Sequence, residues 1–406
     1  MGRWWLRTIF GPAKDTTLAS AGVSRWVVAV VSILMLAGVT GCAWFGGAEA
    51  VLPANSVRGE TALAQADAAP PEPEPEPEPE PRSFTMIAVG DVMLDRSVWR
   101  VIQENGFQSI LAKVRDDLRA ADITLANLEC PLATSGPHAP RDCIFRADPR
   151  AVDVLLDGGI DVVTVANNHS LDAGVAGLRS TLDHLDAAGV AYCGAARERD
   201  AAWEPCVFEV NDVRLGFVGC TDLSFQHGSW AKVDDATTKF AERIRSAKEK
   251  CDLLVVTIHW GNEYQTVPTE RQRKVARAAV DAGADLVVGH HPHTLQGIGS
   301  YKGAPILYSA GNFVFDQREG ERMESAIFHL TWTEGDGWHI RAVPVWIPRS
   351  RMGPIYPDAS RAAKIIQRLA TLSANLGVPL SVERNEGEAT IPVADPEASS
   401  PRNEGT

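Results

Sequence analysis

Short apolar runs alternate with amphipathic stretches between residues 84 and 345, and each run ends at a glycine or a polar residue. The runs are rich in Val, Ile and Leu, which is typical of strands buried on both faces. The stretches between them repeat apolar residues at helical spacing, which is typical of helices packed on a sheet. We predict strands at 84–89, 123–126, 161–166, 253–258 and 286–288, and helices at 107–118, 174–188, 237–248 and 269–282.

Two further pairs of apolar runs are joined by turn residues and predict β-hairpins. The first pair, 206–210 and 213–218, flanks Asn211-Asp212, and the second, 327–332 and 338–345, flanks a glycine-containing turn. Alternating strands and helices together with hairpins predict an α/β fold with mixed sheets.

The first 42 residues show the pattern of a targeting segment. Basic residues precede an apolar run, 26–36, that is short for a membrane span of about 20 residues. The small residues directly before Cys42 resemble the bacterial lipobox, and this resemblance implies cleavage and lipidation of Cys42. We therefore predict a lipoprotein-type signal peptide over residues 1–42, with an uncleaved signal anchor as the alternative.

Residues 43–83 form a predicted disordered linker. Proline and glutamate alternate through 70–81, and such a run forms neither a helix nor a core. It is expected to be an extended spacer of roughly 35 Å, at about 3.1 Å per residue. The predicted folded domain spans 84–345, followed by an extension with one helix over 346–383 and a disordered tail over 384–406. This organisation predicts an extracytoplasmic protein anchored to the cell membrane.

The net charge of the chain indicates which classes of partner it can bind. With 39 basic and 52 acidic residues, the chain has a net charge of −13. This charge argues against nonspecific binding to phosphate backbones, so we expect no nucleic-acid partner.

Polar side chains of metal-binding type follow five of the predicted strands. Ligands of α/β proteins gather at the carboxyl ends of strands, and these residues occupy such ends. Alone, each has an ordinary explanation, such as a helix N-cap for Asp91 or a turn for Asn167 and Asn168. Together, carboxylates, amides and imidazoles are ligands for zinc, manganese or iron, and their number is enough for two ions. The residues are Asp91, Asn127, Glu129, Asn168, His169, His259, His290, His291 and His293.

Six blocks carry a resemblance to a known family: 90–94 (GDVML), 127–131 (NLECP), 166–172 (ANNHSLD), 259–261 (HWG), 289–293 (GHHPH) and 308–316 (YSAGNFVFD). In this order they resemble the CapA/PgsA family of capsule and poly-γ-glutamate biosynthesis proteins, within the calcineurin-like metallophosphoesterase superfamily. The resemblance implies a four-layer α/β/β/α sandwich with mixed sheets and a metal site in the loops at one edge.

The resemblance also implies roles for individual residues. His169 is the implied catalytic residue, which acts on the reacting phosphate or protonates the leaving group. His290 can replace His291 as a ligand in another register of the motif. The implied metal ligands are Asp91, Glu129 in the bridging position, Asn168, His259, His291 and His293. Asn127, Asn167 and His290 are candidates for residues that support the ligands through hydrogen bonds. Asn312 has no counterpart in the superfamily pattern, and it is either a further supporting residue or a turn residue.

The expected cofactors are two divalent ions, of manganese, zinc or iron. The expected function is capsule or poly-γ-glutamate biosynthesis and export, with a metal-dependent hydrolase site. Its substrate is expected to be a phosphorylated compound or an anionic polymer. Membrane proteins of a polymer synthase are the expected protein partners. Two departures from the superfamily pattern keep an alternative open, since Met93 replaces a histidine and Glu129 replaces an aspartate. The alternative is a non-catalytic scaffold or ligand-binding component of a synthase complex.

Overall fold

The computed structural model describes residues 81–136, 143–223, 237–317, 319–383 and 386–391. The predicted signal peptide with Cys42, and the linker as far as residue 80, lie outside this part of the chain. The strands are β1 (Ser83–Val92), β2 (Ile123–Leu128), β3 (Val162–Thr164), β4 (Ala191–Cys193), β5 (Cys206–Val210), β6 (Val213–Thr221), β7 (Leu253–His259), β8 (Leu286–His290), β9 (Ile298–Tyr301), β10 (Ala304–Leu307), β11 (Asn312–Val314), β12 (Glu324–Thr333), β13 (Gly337–Trp346), β14 (Ser381–Glu383) and β15 (Glu386–Ile391).

The α-helices are α1 (Arg96–Asn105), α2 (Gln108–Leu111), α3 (Arg115–Leu118), α4 (Val152–Gly158), α5 (Gly174–Ala188), α6 (Thr237–Lys248), α7 (Glu270–Asp281) and α8 (Ala359–Ala374). Short 3-10 helices cover Pro149–Ala151, Arg199–Trp203 and Gly320–Met323. Within the described residues, no helix has the length and apolar content needed to cross a membrane.

The strands form two mixed sheets. The larger sheet has the order β14-β15-β13-β12-β1-β2-β3-β4, and β11 also pairs with β1. The smaller sheet has the order β5-β6-β7-β8-β10-β9. Parallel pairs occupy β1 to β4 and β6 to β8, whereas the two predicted hairpins, β5–β6 and β12–β13, are antiparallel.

The alternation of side chains along β1 explains the layers. Met86 and Ala88 face the smaller sheet and join the apolar cluster between the two sheets, which also receives Leu215 and Val255. Successive strand residues point to opposite faces, so Ile87 packs instead among α1, α2, α4 and α5. Helices α6 and α7 cover the outer face of the smaller sheet. The predicted four-layer α/β/β/α sandwich is therefore confirmed.

Strand register brings the polar strand ends to one edge. Asp91 lies opposite Asn127 of β2 and Asn312 of β11, while His259 lies opposite His290 of β8. Gly90 permits this close approach, because a Cβ atom there would lie 2.1 Å from the Gly311 carbonyl oxygen.

The amphipathic stretch 107–118 differs from its prediction. It forms two short helices, α2 and α3, because the backbone at Val114 leaves the helical conformation with φ −128°. The preceding helix α1 is absent from the predicted elements, although Val98, Val101 and Ile102 carry helical spacing and are buried.

The prediction of a disordered tail from residue 384 is wrong for Glu386–Ile391, which form β15. This strand pairs with β13, so that Arg341 lies opposite Glu388, and the Arg341 guanidinium contacts Glu386 at 3.0 Å. The composition of the segment carries no signal for this pairing, because a strand added at a sheet edge is held by backbone hydrogen bonds. The extension before it contains α8, whose Ile365, Ile366 and Leu369 enter the core between the sheets.

Candidate metal centre

Two groups of buried residues at the sheet edge could each hold a metal ion. Glu129, His291 and His293 form one group, and Asp91, Glu129 and His259 form the other. Within each group the ligand atoms lie within 4.8 Å of one another. Glu129 belongs to both groups, and the larger sheet supplies the carboxylates while the smaller sheet supplies the imidazoles. The edge where the two sheets meet therefore carries a candidate binuclear site.

The chemistry of these groups fits a divalent cation. Asp91 and Glu129 are fully buried, and burying a carboxylate costs several kcal/mol unless a partner compensates its charge. Among the described residues, His290 Nε2 and His291 Nδ1 have no hydrogen-bond partner. An unsatisfied buried polar atom costs about 1–3 kcal/mol. A set of buried oxygen and nitrogen donors with unused lone pairs is expected where a first-row metal binds.

Asp91 is held as an anion. Asn127 Nδ2 donates to its Oδ1 over 2.8 Å, and His290 Nδ1 lies 3.2 Å from the same oxygen. His293 Nδ1 lies 3.3 Å from Oδ2. Burial raises the pKa of Asp91, but the hydrogen bonds from His290 and His293 outweigh it and hold the pKa well below its usual range. The carboxylate is therefore ionised, as a metal ligand must be.

The three histidines of the two groups differ in protonation. Burial lowers the pKa of His259 well below its usual value and that of His291 to about 3, and neighbouring imidazoles lower both further. Burial also opposes a proton on His293, but Glu129 and Asp91 raise the pKa of His293 to about 9. Without a metal, His293 therefore supplies the positive charge beside the two carboxylates.

Two amide side chains contact these ligands in different ways. Asn168 Oδ1 lies 2.7 Å from His259 Nε2, the ring nitrogen that also faces Glu129, so the amide oxygen and the imidazole point to the same position. Asn312 Oδ1 accepts from His293 Nδ1 over 2.9 Å, which leaves His293 Nε2 directed toward Glu129 at 3.7 Å. A hydrogen bond from the second ring nitrogen fixes the tautomer of a ligating histidine.

The remaining predicted residues also lie at this edge. Asn167 Nδ2 donates to Asn127 Oδ1 over 3.1 Å and to the Leu128 carbonyl over 2.8 Å, so it holds Asn127 in place. His290 and His291 both point to the centre, because His290 contacts Asp91 while His291 belongs to the group with Glu129. The structure thus brings all the described candidate residues together.

His169 lies at the rim of the centre in a fixed orientation. Its Nδ1 contacts Asp172 Oδ2 at 2.7 Å, and Asp172 also accepts the Phe145 backbone N–H over 2.7 Å. The imidazole stacks on the Phe145 ring with centroids 4.0 Å apart. Its Nε2 lies 3.8 Å from Glu129 Oε1 and therefore faces the candidate ligands. Asp172 is absent from the predicted site, although its position three residues after His169 was an available signal.

A cleft of about 740 Å³ reaches this rim from the solvent, with His169 and His293 in its wall and Arg96 and Arg322 nearby. A second cleft, of about 830 Å³, reaches His291 from another side. A ligand in the first cleft meets both the metal-binding side chains and His169. Neither arginine was predicted, because their positions carry no motif that marks a ligand site.

Comparisons with known proteins identify the family of this chain. The profile described as "Bacterial capsule synthesis protein PGA_cap" matches residues 85–317. The PGA biosynthesis protein CapA of Bacillus subtilis (strain 168) is 33% identical over 69% of this chain and 76% of its own length. The capsule biosynthesis protein CapA of Bacillus anthracis is 34% identical over 61% of this chain and 64% of its own length. Among solved structures, the 5'-nucleotidase of Candida albicans SC5314 aligns with 12% identity and a TM-score of 0.38, over 66% of this chain and 52% of that one. The matched region contains strands and helices of all four layers and the buried ligand groups. The chain belongs to the bacterial capsule synthesis protein PGA_cap family.

Proposed function

We propose that this protein is a metal-dependent hydrolase that acts in capsule or poly-γ-glutamate biosynthesis outside the cytoplasm. The observation that carries the proposal is the sharing of Glu129 by two groups of buried ligands. A shared carboxylate between two groups of donors is the arrangement expected of a two-metal site.

The ligands divide between the two sheets. Asp91, Glu129 and His259 would hold one ion, and Glu129, His291 and His293 would hold the other, with Asn168 beside His259. Mixed oxygen and nitrogen donors favour manganese, zinc or iron. When bound, such ions supply the positive charge and Lewis acidity that a phosphoryl or acyl centre requires for attack by water.

His169 would act on the leaving group. The Asp172 carboxylate accepts the Nδ1 proton, so Nε2 is the nitrogen that faces the cleft and the ligands. A proton held at Nε2 can pass to the oxygen of a departing group. Stacking on Phe145 keeps the ring from turning away.

The substrate in this proposal is a phosphorylated compound or an anionic polymer. A protein of net charge −13 attracts a polyanion poorly, so bound cations would supply the local attraction. The lipobox-like residues before Cys42 support a lipid anchor in the cell membrane, and such an anchor would keep the domain beside membrane proteins of a polymer synthase.

Met93 favours a second candidate function, that of a non-catalytic scaffold or ligand-binding component. This residue stands where the superfamily motif has a histidine ligand. It is fully buried, and its Sδ accepts the Asp95 backbone N–H over 3.1 Å, so it contributes nothing to the ligand groups. Binding of metal without turnover is the expected property of such a component.

Elemental analysis of the purified protein, combined with a screen of phosphomonoesters, phosphodiesters and γ-linked glutamate polymers, tests the proposal. We expect two divalent ions per chain and a hydrolysis that His169→Ala abolishes while metal content is unchanged. His184→Ala is the matched control, since His184 bonds to the Ser180 carbonyl within α5 and lies away from the ligands. Metal without any hydrolysis would favour the scaffold, and a protein that takes up no metal would contradict the proposed site.

A further inference from the structure

Arg96 lies at the cleft that leads to the metal centre, five positions after Asp91. Its backbone has φ 52°, in the left-handed region that residues other than glycine rarely adopt. The Asp95 side chain accepts the Arg96 backbone N–H over 2.7 Å and stabilises this turn. Unfavourable backbone conformations that persist are concentrated at sites of function.

The Arg96 side chain is held in place without being enclosed. Its Nη2 forms an ion pair with Asp316, whose side chain is 8% exposed, and Nη1 donates to Cys143 Sγ over 3.6 Å. The guanidinium lies over the Phe145 ring at 4.6 Å from the centroid. The side chain remains 40% exposed. Because a guanidinium has five N–H donors, these contacts leave donors for a ligand in the cleft.

Stacking connects this guanidinium to the reacting position. The Phe145 ring contacts both the Arg96 guanidinium and the His169 imidazole, and the centroids of the Phe145 and His169 rings lie 4.0 Å apart. Arg96, His169 and His293 line the same cleft, so a ligand that has its reacting group near His169 and extends along the cleft would meet Arg96. A guanidinium suits a planar or tetrahedral oxyanion, which it can bind through two N–H donors.

The charges of the cleft set a condition on binding. Arg96 is paired with Asp316, and Arg322 is paired with Glu319 at 2.9 Å. Glu263 adds a further carboxylate to the wall. The arginines alone therefore leave the cleft without a positive surplus, and metal ions at the centre would have to supply it.

We propose that Arg96 binds an anionic group of the substrate, a carboxylate or a phosphate, next to the group that reacts at the metal centre. This inference rests on the proposed function, because it assigns a substrate class to the same site. It makes Arg96 a binding residue that recognises a neighbouring negative charge, and it makes anion binding dependent on prior binding of metal.

Calorimetry on the full chain tests the inference, first by titration of Mn²⁺ or Zn²⁺ and then by titration of two probes, a short γ-linked glutamate oligomer and inorganic phosphate. We expect the metal-loaded protein to bind at least one probe and the metal-free protein to bind neither. Arg96→Ala should raise the dissociation constant about tenfold or more, and Arg96→Lys should restore only part of the affinity. If the Arg96 variants lose affinity only for the oligomer, the anion bound by Arg96 is a polymer carboxylate. If they lose affinity only for phosphate, the anion is a phosphoryl group.

Arg150→Ala is the matched control, since Arg150 also pairs with a carboxylate, Asp148 at 2.8 Å, and lies over the Trp99 ring at 5.4 Å. It should bind the probes as the wild type does. Because Arg96→Ala leaves Asp316 unpaired, the double variant Arg96→Gln/Asp316→Asn provides a second test in which no buried charge is left alone.

Two results would overturn the inference while leaving the metal centre intact. One is a metal-loaded Arg96 variant that binds the probes with wild-type affinity, and the other is a metal-loaded wild type that binds neither probe. A wild type that takes up no metal contradicts the proposed function itself and this inference with it.

Discussion

The metal centre can be compared with a second site where a histidine contacts a carboxylate, on the outer side of the larger sheet. There, His329 Nε2 lies 3.3 Å from Asp117 Oδ2, and Tyr356 donates its hydroxyl to the same oxygen over 2.9 Å. We call these three residues the Asp117 cluster. Both regions pair imidazole with carboxylate, so residue type alone does not distinguish them.

The difference lies in burial and in the ratio of donors to acceptors. In the Asp117 cluster a single, partly exposed carboxylate meets two side chains that can donate to it. Burial raises the pKa of Asp117, but the contacts with His329 and Tyr356 outweigh it and lower the pKa. A ring nitrogen without a hydrogen-bond partner among the described residues occurs in both regions, at His290 and His291 in the metal centre and at His329 in the Asp117 cluster. The metal centre differs because it places two fully buried carboxylates among several buried imidazoles, whereas the Asp117 cluster has one partly exposed carboxylate.

The largest expected effect is the loss of metal in the variant His291→Ala/His293→Ala. It removes two of the three ligands of one group, and we expect the affinity for the corresponding ion to fall by about 100-fold or more. Elemental analysis after dialysis measures the change. His329→Ala in the Asp117 cluster should keep the full metal content. Equal metal loss in both variants would remove the distinction between the two regions.

A smaller effect is expected on turnover from Asp172→Asn. The amide no longer favours the Nδ1–H tautomer of His169, so we expect the rate of hydrolysis to fall about 100-fold while metal content is retained. Steady-state kinetics with the substrate found in the screen measures this. Asp117→Asn, which changes a carboxylate beside a histidine in the other region, should leave the rate unchanged. An unaltered rate in Asp172→Asn would show that Asp172 does not orient His169 for catalysis.

The pH dependence of metal binding should report on His293. Because the carboxylates hold its pKa at about 9, metal-free His293 carries a proton at pH 7, and a metal must displace that proton. The apparent affinity should therefore rise about tenfold per pH unit from pH 7 and level off near the pKa of about 9.

The proton on His293 also affects the stability of the metal-free protein. A folded pKa above the ordinary 6.5 stabilises the protein below that pH, and this contribution is lost as the pH rises through about 9.

Calorimetry at pH 7 in buffers of different ionisation enthalpy counts the protons released on metal binding. His329→Ala should release the same number as the wild type. The absence of proton release would mean that metal binding does not displace the proton of His293.

The smallest expected effect is on stability in the Asp117 cluster. Tyr356→Phe removes a single hydrogen bond at a residue that is 45% exposed, so the free energy of unfolding should fall by about 0.5–1 kcal/mol. Denaturant unfolding measures the loss, and metal content should be unchanged. A loss of several kcal/mol would mean that this cluster, and not only the sheet core, holds the extension on the domain.

The fold could be predicted where periodicity is local and strong. The predicted bounds of α5 and α6 agree with the observed ones, and β7 extends the predicted strand by only His259. β15 could not be predicted, because its place depends on the free edge of β13 rather than on its own side chains. The two short helices α2 and α3 were predicted as one because their apolar spacing is continuous across the break.

The candidate site was predictable in its residue types and less so in its contacts. Glu129 and the histidine loop could be placed near the same edge, since parallel strands deliver their ends together. The stacking of Arg96 on Phe145 could not be predicted, because it depends on backbone conformations such as the left-handed one at Arg96.

The sequence by itself determined the strands and helices with strong local periodicity, the polar residues at the strand ends and the family resemblance, because periodicity and motif spacing are properties of neighbouring residues. Only the tertiary structure decided that Glu129 is shared by two ligand groups and that Asp172 orients His169. The physical reason is that Asp91 lies in the larger sheet, whereas His293 lies in the loop that follows β8 of the smaller sheet. The packing of one sheet on the other, through the apolar core between them, sets which of their atoms meet.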